Sequence, residues 1–181
     1  MNEKFQKLSE LGAGEFSHLD GTLIEHLIGT HDILIKWNAS TALADAGLYH
    51  AAYGTAGFDE RLVSIDQRGE IADIIGAAAE EIVFQYCACS RQDFYAQIGT
   101  EQNPRFKNRF SGESYYLSQE MLISFCELTA ANEIEIALDN PSFVNEHGKN
   151  LNNLCKNMAP YLSAAARTMA ADIFAAPASP S

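Results

Sequence analysis

The feature that most constrains this chain is an apolar pattern at helical spacing that repeatedly admits a histidine. Over residues 22–37, Leu23, Leu27, Leu34 and Trp37 fall on one side of a helix, and Ile24, Ile28 and Ile33 widen the stripe. His26 flanks that stripe, whereas His31 and Asp32 point outward. Asn38-Ala39-Ser40 breaks this helix and caps the next. Residues 41–52 carry Leu43, Ala46, Gly47 and His50 at helical spacing, which puts His50 on the packed face. Small residues at 44, 46 and 47 let a neighbouring helix come close. The glycine-bearing loop Tyr53-Gly54-Thr55-Ala56-Gly57-Phe58 comes next.

The same periodicity continues along the chain. Residues 3–11 read as a short helix closed by Gly12 and Gly14, and 15–21 as a loop carrying His18 and Asp20. Ser64 and Gln67 have capping-box spacing and start a helix to about Ile75. Ala77 to Cys87 is another helix, and 90–98 a further short one. Phe106, Phe110, Tyr115 and Tyr116 around Ser111-Gly112-Glu113 form the one candidate hairpin, read as core packing or as a homodimer contact. Ser118 caps a long helix to about Leu138, stopped by Asn140-Pro141. A last helix spans about Lys149 to Phe174, kinked or broken at Pro160. The expected fold is all-α: six to eight helices, at most a small β-hairpin, one domain over 1–174 and a mobile tail at 175–181.

Twenty-four acidic residues against twelve basic ones give a net charge of −12. That balance argues against nucleic acid or an anionic membrane as partner, because binding a polyanion needs clustered Lys and Arg. It leaves room for a small anionic ligand held by a local cation. Cys87, Cys89, Cys126 and Cys155 lack paired zinc spacing and read as plain thiols. No cationic-then-apolar leader opens the chain and no apolar run approaches the ~18 residues of a membrane span. A cytoplasmic, reduced setting is expected.

A histidine on an apolar helix face is usually a satisfied core residue. Here several polar groups enter one core: His26, His50, His18 just before the first long helix, and Asn132, flanked by Thr129 and Glu133, on the 118–138 helix. An unsatisfied buried polar group costs about 1–3 kcal/mol, so these groups either satisfy one another or hold a ligand. Imidazoles suit a divalent metal such as iron, manganese or zinc with open positions. His26, His50 and His18 are the candidate ligands, and Asp20 and Glu133 the nearest carboxylates. Tyr53 and Thr55 are placed to orient a substrate, Glu133 to act as a base if it points inward, and Arg91, Asn132 and Thr129 to contact a small-molecule, anionic ligand. Other chemistries lack support. There is no Gly-x-Ser-x-Gly, no cysteine with an activating histidine, and no Lys-Ser/Thr after Gly12-Ala13-Gly14 to grip phosphate.

These residues resemble the HD-domain superfamily, all-helical metal-dependent phosphohydrolases with a smaller branch of non-haem di-iron oxygenases. His26 matches the first histidine of the guanosine tetraphosphate hydrolase branch, and Gly47-Leu48-Tyr49-His50 its Leu-Leu-His-Asp segment. Ile75-Gly76 and Ala79-Glu80-Glu81-Ile82-Val83 are similar to the next stretch of that branch, and Glu127 to Glu133 occupy the place of the helix with the last metal-binding aspartate. The departures are definite. Ala51 stands where that branch has its aspartate, Gly54 and Thr55 where it has an acidic pair, and Asn132 is the nearest polar residue to its late aspartate. The segment Leu-Tyr-His-x-x-Tyr-Gly-Thr, with His18, His26, His50 and Arg91, is similar to an uncharacterised group of short HD-like proteins.

The resemblance implies an HD-like helical domain in place of a two-metal hydrolase. It leaves three readings: a single-metal hydrolase, an iron oxygenase or tailoring enzyme using the same histidines, and a non-catalytic ligand-binding or interaction domain in which the histidines are hydrogen-bonded core residues.

Overall fold

Several of the helices begin where a polar side chain closes the first turn. In the computed structural model, which describes residues 3–14, 17–18, 21–58 and 60–174 (only the backbone of 17, 18 and 21), helix α1 spans Glu3–Glu10. Strands β1 (Ser17–His18) and β2 (Gly21–Thr22) pair antiparallel, so two residue pairs of sheet stand where a plain loop was expected. Thr22 then caps α2 (Leu23–Lys36) in a capping box with Glu25: the Thr22 N–H donates to Glu25 Oε2 at 2.9 Å and the Thr22 hydroxyl accepts from Glu25 N–H at 3.4 Å. Helix α2 ends at Asn38, whose φ of 57° is a left-handed conformation that asparagine tolerates, with Ala39 N–H reaching back to the Leu34 carbonyl. Ser40 caps α3 (Thr41–Tyr49) through Leu43 N–H.

After the 53–58 loop, Ser64 and Gln67 form the expected capping box, opening a 3-10 turn (Ile65–Gln67) and α4 (Arg68–Ile75). Helices α5 (Ala77–Ala88) and α6 (Arg91–Tyr95) come next. The expected hairpin is present as β3 (Arg105–Lys107) against β4 (Ser114–Tyr116). It is largely a packing element. Phe106 is fully buried, the Tyr115 hydroxyl donates to Gln85 Oε1 at 2.8 Å, and Tyr116 is exposed.

Ser118 caps α7 (Gln119–Leu138). Two sequence expectations change beyond it. Asn140-Pro141 stops α7 and also starts α8 (Pro141–Met158): the Asn140 side chain accepts from Phe143 N–H at 2.9 Å and Pro141 occupies the first helical turn, where its missing N–H costs nothing. The last helical region therefore begins well before Lys149, and His147 is helical. Pro160 breaks that region outright. A 3-10 turn (Ala159–Tyr161) separates α8 from α9 (Ala164–Phe174), giving nine α-helices among the described residues where six to eight were expected. The buried Glu127 carboxylate of α7 accepts the Ser163 N–H and so ties down the start of α9. The 175–181 tail and Asp20 lie outside the described residues.

Helix α2 packs on α3 and α7, α3 and α7 also meet each other and α5, and α8 with α9 covers α7. This is an all-α bundle, and no helix among the described residues is long and apolar enough to cross a membrane. All four cysteines are free and buried, and burial pushes the Cys87, Cys89 and Cys155 thiols up to about 12, which makes them poor nucleophiles. His31 is less outward than its spacing implies, since Phe5 of α1 stands edge-on to its ring at 5.3 Å.

Helices α2 and α3 come very close at Gly47, where an added Cβ would lie 2.6 Å from Leu34 Cδ1. Leu34 is fully buried and has nowhere to swing. Gly→Ala inside an open helix gains about 1 kcal/mol. At Gly47 overpacking is expected to reverse the sign, destabilising the fold by about 1–3 kcal/mol in urea unfolding. A Gly47→Ala variant more stable than the parent would contradict this packing.

Candidate functional site

Three elements deliver polar groups to one point. His26 projects from α2, His50 is the residue that ends α3, and Asn132 and Glu135 lie one turn apart on α7. The Nε2 atoms of His26 and His50 are 3.1 Å apart, and Asn132 Oδ1 lies 3.1 Å from His26 Nε2. His26 and His50 are 5% and 2% exposed, so bulk water does not supply their bonds.

The hydrogen positions are set by the partners. His50 Nδ1 faces the Gly47 carbonyl at 2.7 Å, and a carbonyl only accepts, so that nitrogen carries a hydrogen. His26 Nδ1 is hydrogen-bonded to the Glu135 carboxyl, and an ionised carboxylate there accepts its hydrogen. In the tautomers that put a hydrogen on both Nδ1 atoms, each ring turns an Nε2 lone pair inward. The Asn132 amide is oriented by its Nδ2, which donates to Glu133 Oε1 at 3.2 Å, leaving Oδ1 as a third acceptor. In that arrangement the two Nε2 atoms and the Asn132 Oδ1 meet as acceptors at 3.1 Å, contacts that a hydrogen on His26 Nε2 or a cation would satisfy.

These groups line a pocket of about 260 Å³, whose wall includes His26, His50, Ala51, Thr55, Arg91 and Glu133. Ala51 stands beside His50 where an aspartate would fill the space. Thr55 is held by a two-way backbone bridge to Phe58, closed through Gly57 at φ 104°. Burial pushes the Glu133 carboxyl above the ordinary carboxylate range, and Arg91 and the Asn132 amide pull it partly back. Arg91 lies across the Tyr86 ring, 4.7 Å from its centroid, and reaches the Ala56 carbonyl at 3.5 Å.

Of the residues picked from sequence, His26, His50, Asn132, Glu133, Thr55 and Arg91 come together here. Tyr53 does not line the pocket. Its hydroxyl donates to Glu80 Oε1 at 2.8 Å, inside a network in which Arg68 grips Glu80 with two bonds of 2.7 and 2.6 Å. Thr129 also turns away, donating to the Phe125 carbonyl of its own helix at 2.8 Å. The His18 side chain and Asp20 lie outside the described residues. Among the described residues no group of three or more His, Cys, Asp or Glu side chains is arranged to hold a metal, and the Asn132 amide oxygen is the further donor beside the two rings.

Glu135 and Gly29 are the site residues that pattern reasoning passes over. A Cβ at Gly29 would lie 2.7 Å from Glu135 Oε1, so Gly29, one turn beyond His26 on α2, makes the groove through which Glu135 reaches the imidazole. The available signal is the pairing of one-turn spacings, 26 with 29 and 132 with 135.

A family model described as a domain of unknown function (DUF6817) matches residues 7–91, a span holding His26, His50, Thr55 and Arg91 but not α7. No curated protein and no solved structure matches the chain.

Gly29→Ala is expected to push Glu135 off His26 without touching either residue. The His26 Nδ1–H resonance in nitrogen-15 ring spectra should lose its hydrogen-bonded shift while His50 keeps its own; an unchanged His26 spectrum would contradict the groove. Glu133 gives a pH test. Its folded value is raised above 4.5, so the associated stability is present below that pH and is lost as pH rises through the folded value. Glu133→Gln should therefore be more stable than the parent near pH 7, with the gap closing below about pH 4. Equal unfolding midpoints near neutral pH would refute it.

Proposed function

We propose that this chain is an HD-like small-molecule enzyme of the hydrolase type, with one divalent ion held by His26, His50 and Asn132. The observation that carries the reading is the approach of the two Nε2 atoms and of the Asn132 Oδ1 to His26 Nε2, each at 3.1 Å. Two nitrogens bound at a right angle, each about 2.1 Å from one ion, are roughly 3.0 Å apart, close to the 3.1 Å between His26 and His50. Both rings also have the outer support expected of ligands: a carboxylate behind His26 and a carbonyl behind His50 fix the donor tautomer. The donor set is neutral, which fits one ion with open positions and not a pair of ions.

Such an ion would supply Lewis acidity, lowering the pKa of bound water. The remaining roles belong to the protein. Glu133, its pKa raised by burial, is suited to take a proton from water at the pocket wall. Arg91 offers positive charge to an anionic substrate, and Thr55 a hydroxyl to orient it. Ala51 leaves the room next to His50 that an aspartate would occupy. With its hydroxyl committed to Glu80, Tyr53 supports the loop from behind.

A second reading rests on the same 3.1 Å contact. With a proton on His26 Nε2, the imidazolium would bond His50 and Asn132 in front and pair with Glu135 behind, giving a metal-free ligand-binding domain. Thermal melting separates the two. On the metal reading, manganese, iron(II) or zinc at about 100 times its dissociation constant stabilises the parent by about 2.7 kcal/mol, and His26→Ala and His50→Ala abolish the effect. Equal metal responses in parent and both variants would exclude the histidine site.

A further inference from the structure

The β3–β4 hairpin has one closed edge and one open edge. The Asn108 N–H donates to the Glu113 carbonyl at 2.8 Å, which makes 108 and 113 a hydrogen-bonded pair. Such pairs alternate along an antiparallel ladder. Phe106 and Tyr115 therefore bond next, and the backbones of 105, 107, 114 and 116 face away from the partner strand. On the β3 side those outward groups are met. The Gln97 side chain accepts from the Arg105 N–H at 2.8 Å and donates to the Arg105 carbonyl at 3.2 Å, and the Ser90 N–H donates to the Lys107 carbonyl at 3.0 Å. On the β4 side no other element among the described residues bonds the backbone of Ser114 or Tyr116.

The outer face of the same sheet is cationic. Residues directly opposite in a ladder share a face, which puts Arg105, Lys107, Ser114 and Tyr116 together, and all four are exposed. Arg105 makes no ion pair among the described residues, and Lys107 has Asp93 only at 4.0 Å. In a chain with 12 basic and 24 acidic residues, two adjacent cations on a face without a carboxylate stand out. Tyr116, 58% exposed, adds an aromatic ring beside them. Edge strands are commonly guarded by lysine, proline or a covering element, because open backbone groups invite pairing. The Ser-Tyr-Tyr of β4 has none of these guards.

We propose that β4 is a docking edge for an extended acidic segment of a partner protein, which adds a third strand beside Ser114–Tyr116 and sets carboxylates against Lys107 and Arg105. Backbone hydrogen bonds supply the affinity and the outer-face cations the preference for acid. Ser114, directly opposite Lys107, is small enough for a Glu side chain to reach over it; the two strand spacings to be crossed are about 4.8 Å each. A second copy pairing through this edge would present Arg105 and Lys107 again and no carboxylate on that face. The surface needs neither the histidine pocket nor a metal.

The test titrates nitrogen-15-labelled protein with the blocked peptide Glu-Val-Glu-Val-Glu-Val. The comparisons are the same peptide with Lys for Glu, one with Pro at two of its Val positions, and a single-stranded RNA oligonucleotide. The acidic peptide is expected to shift the Ser114 and Tyr116 amides downfield and to slow their hydrogen exchange at least about tenfold, with Phe106 and Tyr115 little changed. Reversing both exposed cations, Arg105→Glu with Lys107→Glu, should weaken binding at least about fivefold. An acidic peptide without a saturable effect on those two amides overturns the proposal, and this arm needs no variant to fold. So does equal binding of the lysine or proline peptide, or tighter binding of the RNA at the same amides. Ser114 and Tyr116 amides already protected in a dimer of the free protein would assign the edge to a second copy and overturn it as well.

Discussion

Where α2 crosses α3, Gly47 leaves room for Leu34, and a single added carbon there would come within 2.6 Å of its Cδ1. This close approach lets an imidazole from the first turn of one helix meet an imidazole from the end of the next. The Gly47 carbonyl also fixes the His50 ring, so one residue sets both the spacing of the helices and the tautomer of the imidazole between them. Helix α7 completes the arrangement by gripping His26 twice, with Asn132 on one ring nitrogen and Glu135 on the other. Held in this way, His26 has little freedom to rotate away from His50.

That convergence has an electrostatic cost that packing does not remove. Acceptor atoms facing one another in a buried site need a hydrogen or a cation between them, and Glu133 is kept partly desolvated beside them. Buried polar groups with incomplete partners are common where a site is preorganised for something that arrives later. Elsewhere the polar chemistry is closed. Arg68, Glu80 and Tyr53 satisfy one another, Glu127 anchors Ser163, and the thiols are buried. These closed networks stand apart from the pocket that His26, His50, Asn132 and Arg91 line.

Much of this is legible in residue patterns, for identifiable reasons. His26 and His50 stand out because each interrupts or flanks an apolar stripe, and Asn132 because an amide on the core face of a long helix needs a partner. The helix starts at Thr22, Ser64 and Ser118 reflect cap chemistry that is local in sequence. The illegible part is long-range or ambiguous. Glu135 reads as an ordinary helical charge until α7 is laid against α2, and Tyr53 reads as a pocket residue until α5 brings Glu80 to its hydroxyl. Asn140-Pro141 reads first as a stop, although the same two residues are a strong helix start. The HD-like resemblance draws attention to the histidines, and the proposed one-ion site departs from that pattern at Asn132 and Ala51.

On this account a divalent ion, and not a proton, fills the space among His26, His50 and Asn132. Elemental analysis of protein expressed without a histidine tag and purified without chelator measures this most directly. About one manganese, iron or zinc per chain is predicted. Less than about a tenth of an ion per chain, in protein that retains its melting temperature after dialysis against chelator, would contradict the metal site and leave the proton as the occupant.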